Sequence, residues 1–501
     1  MQFDRARTYL LVKGLGMMKI SEIEWGDDSA EKDQQLLEYF VTSDALNRLT
    51  KKNKSLVIGR KGTGKSALFA KLTQVFSEQD RTHVVTVKPS YNSINNLMND
   101  QVVARNFGVE IFFQHCWIRH LYKESLIQIG ATQSGFAPNS YYAFARKIAA
   151  TENYVGKDIV DSIIDFISRL RIKAGTLGEL GISLEKNLRE EGQIAEYERN
   201  LSGMLDSGEK VVILVDDLDL GWNNSELSNS FLMGLLSAVS HVMSSHKNLH
   251  VVIFLREDIY NLVLKSTQHS DKFRNVERIK WDKEKLVSVL SARINFNRIK
   301  AGLPDLGDAA FFSVFPETVG TANTDNWLIE RTLSRPRELI QFARNYSESV
   351  ESTFPSDAAL KSAEPEYSRW KLADVCSEYR NQYPDLSRIT SQWTTKFQRR
   401  KYHLKREEIG EILKAILNDV DIDEAWYKPI KEKMDTDKLL EILFEIGLIG
   451  DFMLGGAGGG SKTYYSYEDF SDPQFDEVQI HPCFRRALNT VERIRENNSQ
   501  K

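Results

Sequence analysis

The run Leu56-Val57-Ile58-Gly59-Arg60-Lys61-Gly62-Thr63-Gly64-Lys65-Ser66 constrains this chain more than any other stretch. An apolar strand runs straight into G-x-x-x-x-G-K-S and then into helix-forming Ala67-Leu68-Phe69-Ala70-Lys71-Leu72. The glycines let the backbone curl so that successive N–H groups and the next helix N-terminus face phosphates. Gly59, Gly62, Thr63, Gly64, Lys65, Ser66 and Ala67 are therefore the expected nucleotide-binding residues, with Lys65 reaching the β/γ-phosphates and acting in turnover, and Ser66 placing its hydroxyl on Mg²⁺. ATP and Mg²⁺ are the cofactors this pattern calls for.

The remaining strands complete an α/β reading. His83-Val84-Val85-Thr86-Val87 follows the first helix as the next strand of a β-α-β unit. After a long helical insertion over about 93–205, Val211-Val212-Ile213-Leu214-Val215 ends in Asp216-Asp217-Leu218-Asp219. A continuously apolar strand is buried in a parallel sheet, and ligands sit beyond the carboxyl ends of such strands, so Asp216 is the expected Mg²⁺ residue. Asp217 either orients or deprotonates the attacking water or receives loop N–H groups, and Asp219 holds an arginine or the loop. His250-to-Leu255 is a further buried strand ending in Arg256-Glu257-Asp258. Arg256 is either a γ-phosphate sensor anchored by its acidic neighbours or one half of an ordinary salt bridge.

Four regions are expected: a lead-in over 1–50, a P-loop core over 51–280, a helical lid over 281–350 and a winged-helix-like domain over 351–501. In the lead-in, Ser29 and Asp33 suggest a helix start before Leu36-Leu37-Glu38-Tyr39-Phe40, placed beside the nucleotide base or serving as a structural preface. In the lid, Leu333-Ser334-Arg335-Pro336-Arg337-Glu338 puts proline in a first helical turn, with Arg335 and Arg337 as candidate nucleotide sensors in cis or toward a neighbouring subunit. Beyond 350, Ser356-to-Ser368 reads as loop. Helices over Ile409-to-Val420 and Leu439-to-Ile446 then precede a glycine-rich, wing-like hairpin at 455–460 and a last helix after Ile480. Lys396-to-Arg406 is the densest basic stretch, with Arg485 and Arg486 expected nearby; it either meets DNA or RNA phosphates or forms a solvated junction.

With Lys+Arg at 66 against Asp+Glu at 70, no global basic field draws nucleic acid. Cys116, Cys376 and Cys483 are isolated and fit reduced thiols, and the nine histidines show no metal spacing, the His115-Cys116-His120 group reading as a buried helix face. No apolar segment approaches the ~18 residues a bilayer needs, and the short Tyr9-to-Val12 patch reads as packing, so a soluble cytoplasmic protein without membrane contact is expected. No nuclease cluster, nucleophile elbow or zinc quartet stands apart from the ATPase motifs.

Taken together, Gly59-to-Ser66, Val215-to-Asp219, Phe254-to-Asp258 and Leu333-to-Glu338 resemble the bacterial P-loop ATPases related to the KAP and STAND branches of the AAA-like superfamily, over residues 20 to 350. Asp28-Ser29-Ala30-Glu31 and the Ser-Arg-Pro-Arg block are similar to a poorly described prokaryotic family of such ATPases. The resemblance implies ATP-controlled homo-oligomerisation or switching, and an effector protein partner in antiviral conflict systems. It also implies phosphate binding at Gly64, Lys65 and Ser66, Mg²⁺ at Asp216, and sensing at Arg256 and Arg337. Asp217 departs from the glutamate of many AAA members, which implies a slow timer or an ATP-bound switch rather than rapid turnover. The competing expectation is a non-hydrolysing scaffold or nucleic-acid sensor that uses ATP structurally.

Overall fold

The structure is a computed structural model that describes residues 16–27, 29–100, 110–133, 137–151, 158–174, 193–266, 275–396, 399–455, 460–468 and 473–491. The Tyr9-to-Val12 patch, Asp28, the charged stretch up to 192 and the centre of the glycine run, 456–459, lie outside the described residues. The chain divides into two compact units. The first is Thr42–Lys280 with the tripeptide Ser29–Glu31; the second is Met1–Asp28, Lys32–Val41 and Trp281–Lys501.

The first unit is built on a parallel five-stranded sheet of β1 (Leu56–Gly59), β2 (Thr82–Val87), β3 (Lys210–Val215), β4 (Leu249–Arg256) and β5 (Val276–Arg278), in the order β2-β3-β4-β1-β5. Every residue of β1, and all but the end residue of β3 and of β4, is buried, which is why these strands read as unbroken apolar runs. Registers pair Val87 with Val215 and Gly59 with Arg256, so the residues leaving β1, β2, β3 and β4 all emerge at the carboxyl edge. β5, only three residues long, has no sequence signal of its own.

Helices occupy the described parts of the insertion: Tyr91–Met98, Glu110–Thr132, Ser140–Thr151, Ile159–Ala174 and Ile194–Asp206. Glu110–Thr132 is buried along much of its length and packs Trp117 against Phe231 of helix Glu226–Ser245, with ring centroids 5.0 Å apart. His120 is buried, its Nδ1 is 2.7 Å from the Cys116 carbonyl, and burial beside Arg119 pushes its pKa down to about 3.

The second unit differs from the sequence reading in three places. Residues 34–39 form turns rather than a helix, because the Asp33 carboxylate accepts from the Tyr39 hydroxyl at 2.5 Å and from the Gln35 N–H, bonds that compete with helix formation. Ile20, Ile23 and Trp25 of the lead-in are core residues of this unit, and Trp25 Nε1 donates to Ser347 Oγ. The expected loop at 356–368 is instead the start of helix Asp357–Glu378, capped by Ser356 Oγ accepting from the Ala359 N–H. Pro365 sits inside that helix. It removes one helical hydrogen bond, but Tyr367 stacks on Phe342 of helix Pro336–Glu348 at 4.4 Å, so packing overrides the proline signal. Helices Lys283–Lys300, Pro336–Glu348 and Asp357–Glu378 share one hydrophobic core with the residues that follow, and no division falls at 350.

After a two-strand hairpin, β6 (Thr318–Val319) and β7 (Ala322–Asn323), and the helices, the chain forms an antiparallel sheet of order β10-β9-β11-β8. Its strands are β8 (His403–Lys405), β9 (Ile449–Met453), β10 (Lys462–Tyr464) and β11 (Glu477–Ile480), with helices Arg406–Asp419 and Thr436–Glu445 inserted between β8 and β9.

Candidate nucleotide site

β1 delivers the chain into the loop at Gly59. A Cβ there would lie 2.5 Å from Thr63 Oγ1, so this position needs glycine, and Gly62 and Gly64 take φ of 80° and 93°, values that side chains disfavour. Thr63 is buried and its hydroxyl donates to the Arg60 carbonyl at 2.8 Å, closing the loop on itself. Helix Lys65–Ser77 starts at once, so its free N–H groups face the loop. Lys65 Nζ donates to the Gly59 carbonyl at 3.0 Å and to that of Arg60 at 3.4 Å. Burial lowers its pKa, against the pull of Asp219 and Asp216.

The carboxyl tip of β3 carries the acids. The Asp216 N–H donates to the Val87 carbonyl, continuing the ladder one residue past the strands, and Asp217 takes φ of 62°, which breaks it and turns the two carboxylates toward one region. Oxygens of Glu31, Asp216 and Asp217 lie within 4.8 Å of one another. At that spacing two ionised carboxylates repel by about 3–4 kcal/mol at an effective dielectric of about 20. Burial and the neighbouring Asp217 push Asp216 up to about 6, and burial with Asp219 and Glu31 raises Asp217.

A cation sits among these acids. Lys88, the first residue past β2, places Nζ 3.1 Å from Glu31, 3.7 Å from Asp216 and 3.5 Å from Asp217, with its ammonium 4.6 Å from the Phe69 ring centroid. Against burial, Asp216 and Asp217 hold the Lys88 pKa above its usual value. Glu31 lies low: burial raises it, but its own backbone N–H, Lys88 and a hydrogen bond from the Ser66 side chain more than offset that. At the tip of β4, Arg256 makes a bidentate pair with Asp258, at 3.1 and 2.7 Å, and lies 3.9 Å from Asp219.

The residues present fit Mg²⁺. The donors are a hydroxyl and carboxylates, the hard oxygen set that this ion takes, and Asp216 Oδ2 is buried without a hydrogen bond. Its ionisation is a cost to the fold. A carboxyl pKa raised above the unfolded value means the folded state binds the proton more tightly, so stability is gained as pH falls through about 6. Asp216→Asn is accordingly expected to stabilise the protein by about 1–3 kcal/mol at neutral pH while removing the metal ligand. Urea unfolding at pH 7.5 and at pH 4 checks this, the gain shrinking at the lower value, where the wild-type carboxyl is protonated.

Arg335 requires a correction. It is 1 % exposed, its Nη1 donates to Glu378 at 2.8 Å and its Nε lies 3.5 Å from Glu338, whose other neighbour Lys371 is itself fully buried at 2.7 Å. A guanidinium enclosed in this way is a framework group of the second unit and not a phosphate sensor. Pro336 does open the helix, and Glu338 accepts from the Leu333 N–H just before it. Arg337 is half-buried, its guanidinium 6.0 Å from the Trp370 ring centroid. Arg485 stacks on Tyr402 at 3.6 Å and Arg486 pairs with Glu364, so the extra charge expected from them is taken up inside the unit. Sequence reading missed Glu31 and Lys88. The rule that placed Asp216 at a strand exit applies equally to Lys88; the Asp28-to-Glu31 block carried a family resemblance, but no spacing rule assigned Glu31 a role.

Fold and site together define an α/β core of the P-loop class, with a helical region behind it. A family model described as the FunZ-associated C-terminal helical domain matches residues 284–376. That range lies in the second unit and ends inside helix Asp357–Glu378. The chain is 24 % identical to an 80.3 kDa protein of Escherichia coli (strain K12) assigned to transposon gamma-delta, over 93 % of this chain and 67 % of that relative. Among solved structures, it is similar to the Aeropyrum pernix ORC1 protein in complex with DNA, with TM-score 0.34 and 12 % identity over 84 % of this chain and 88 % of that one. It is also similar to the ORC2 protein of the same organism in ADPNP-ADP complexes, with TM-score 0.37 and 11 % identity over 94 % and 96 %. Scores at that level describe a loose superposition, and the reading of this chain stands on its own residues.

Proposed function

We propose that this chain is a Mg²⁺-dependent ATPase of slow turnover that acts as a regulatory or assembly switch. The observation that carries the reading is the P-loop Lys65 and Ser66 at the same sheet edge as Asp216 and Asp217. Backbone N–H groups from Gly59 to Ala67 would cradle the phosphates, and Lys65, now bonded to two carbonyls, would exchange them for charged acceptors. Ser66 and Asp216 would hold Mg²⁺, which when bound neutralises phosphate charge. Asp217 would orient the attacking water, its left-handed backbone fixing the carboxylate. Arg256 would report on the γ-phosphate once released from Asp258, and Arg337 would serve as a sensor toward a neighbouring subunit. The control of an effector protein in prokaryotic defence, within a homo-oligomer, rests on the family resemblance alone.

Asp217→Asn is expected to leave nucleotide affinity within about twofold and to lower phosphate release at least ~100-fold. Equilibrium binding of a fluorescent ATP analogue beside steady-state phosphate release decides this; equal loss of both would remove Asp217 from the water's side.

A second reading, a scaffold or sensor that touches nucleic acid, is favoured by one feature. Arg399, Arg400 and Lys401 are consecutive, exposed and lead into β8 of the antiparallel sheet, whose strand and helix order fits a winged helix with the β9–β10 hairpin as its wing. Phosphate release and solution mass measured with ATP alone and with added DNA or RNA separate the two, retained ATP without turnover in every condition favouring the sensor.

A further inference from the structure

Glu31 is an outlying residue of the nucleotide core. It comes from the tripeptide Ser29–Glu31, which belongs to the core unit although the residues on either side of it in sequence belong to the other. Its carboxylate meets two parts of the phosphate site at once: the Asp216–Asp217 pair and Lys88. Ser66 and Asp216 are the two residues that the P-loop pattern offers to a divalent ion, and Asp216 Oδ2 is buried, without a hydrogen bond, and faces the same cluster. Lys88 is held there from both sides, by the Phe69 ring and by the three acids.

We propose that Glu31 completes the divalent-cation site and that Lys88 is a built-in counter-ion with which the cation competes for the same carboxylates. The proposal rests on the nucleotide reading and deepens it. Three carboxylates carry more negative charge than the usual pairing of one hydroxyl and one acid, so the site gains cation affinity from Glu31 and gives part of it back to Lys88. Cation binding then requires the ammonium to yield its contacts, which ties metal arrival to a movement at the tip of β2. Because Lys88 also holds Glu31, the same movement frees the tripeptide's carboxylate to turn toward the ion.

Opposite signs make the test sharp. Mn²⁺ is the probe, its binding followed by electron paramagnetic resonance at pH 8 in the full-length protein, with and without ATP. Glu31→Gln is expected to weaken Mn²⁺ at least ~10-fold, and Lys88→Met to tighten it by a similar factor, because one change removes a negative charge beside the ion and the other a positive one. Thermal melting checks that both variants are folded. Unaltered Mn²⁺ affinity in both variants of a protein that binds ATP overturns the inference while leaving the nucleotide reading intact. A wild-type protein that binds Mn²⁺ through Glu31 but no nucleotide would instead sink the nucleotide reading alone, and one that binds neither removes both.

Discussion

Lys65→Ala is expected to reduce ATP affinity at least ~100-fold and to abolish phosphate release, because a charge-assisted contact to phosphate contributes roughly 3 kcal/mol and nothing nearby replaces it. Two further cations at this edge are committed: Arg256 to Asp258, and Lys88 to the three carboxylates. The variant should fold normally. Burial lowers the Lys65 pKa, so the folded state disfavours the ammonium; its charge costs stability below the ordinary lysine range, and that cost is relieved as pH rises through it. Removing the charge therefore removes a strain on the fold while emptying the phosphate site of its main anchor. Fluorescent-nucleotide titration paired with thermal melting checks both halves. Turnover that survives the substitution would place hydrolysis elsewhere in the chain.

This separation of function from stability also explains which parts of the site were legible. A phosphate loop must be glycine-rich for a local reason, seen in the positive φ of Gly62 and Gly64, so sequence exposes it directly. Strands buried on both faces announce themselves as apolar runs, and the edge rule then places Asp216 and Arg256 without any knowledge of tertiary contacts. Glu31 obeys no such rule. It lies in turns and joins the site through the tripeptide Ser29–Glu31, which belongs to the core unit although its sequence neighbours belong to the other. Helix Asp357–Glu378 was hidden for the opposite reason: its serines and Pro365 carry a loop signal, and only aromatic packing of Tyr367 on Phe342 outweighs it.

Arg335 shows how one motif can carry two physical meanings. An arginine before a helix-opening proline suits a phosphate sensor, yet the same position points the side chain into the space between helices Pro336–Glu348 and Asp357–Glu378. There Glu378 and Glu338 meet it, and although burial disfavours the charge, both acids hold the guanidinium ionised. Lys371 and Asp374 extend the group, so that two buried cations are balanced by three acids.

Such a cluster is weak evidence of net stabilisation as a whole but is costly to break, since removing one member leaves a charge buried without its partner. Arg335→Ala is therefore expected to destabilise the protein by about 3–5 kcal/mol. Glu378→Ala should cost a similar amount, and the double variant should cost less than the sum, giving a coupling energy of about 1–3 kcal/mol in a double-mutant cycle. Urea unfolding followed by tryptophan fluorescence measures all three, because Trp327 and Trp393 lie in the same core. Nucleotide affinity of whatever fraction remains folded should match the wild type. The opposite pattern, a stable protein that no longer distinguishes ATP from ADP, would return Arg335 to the phosphates, and would require the guanidinium to leave an enclosure in which Glu378 and Glu338 now hold it.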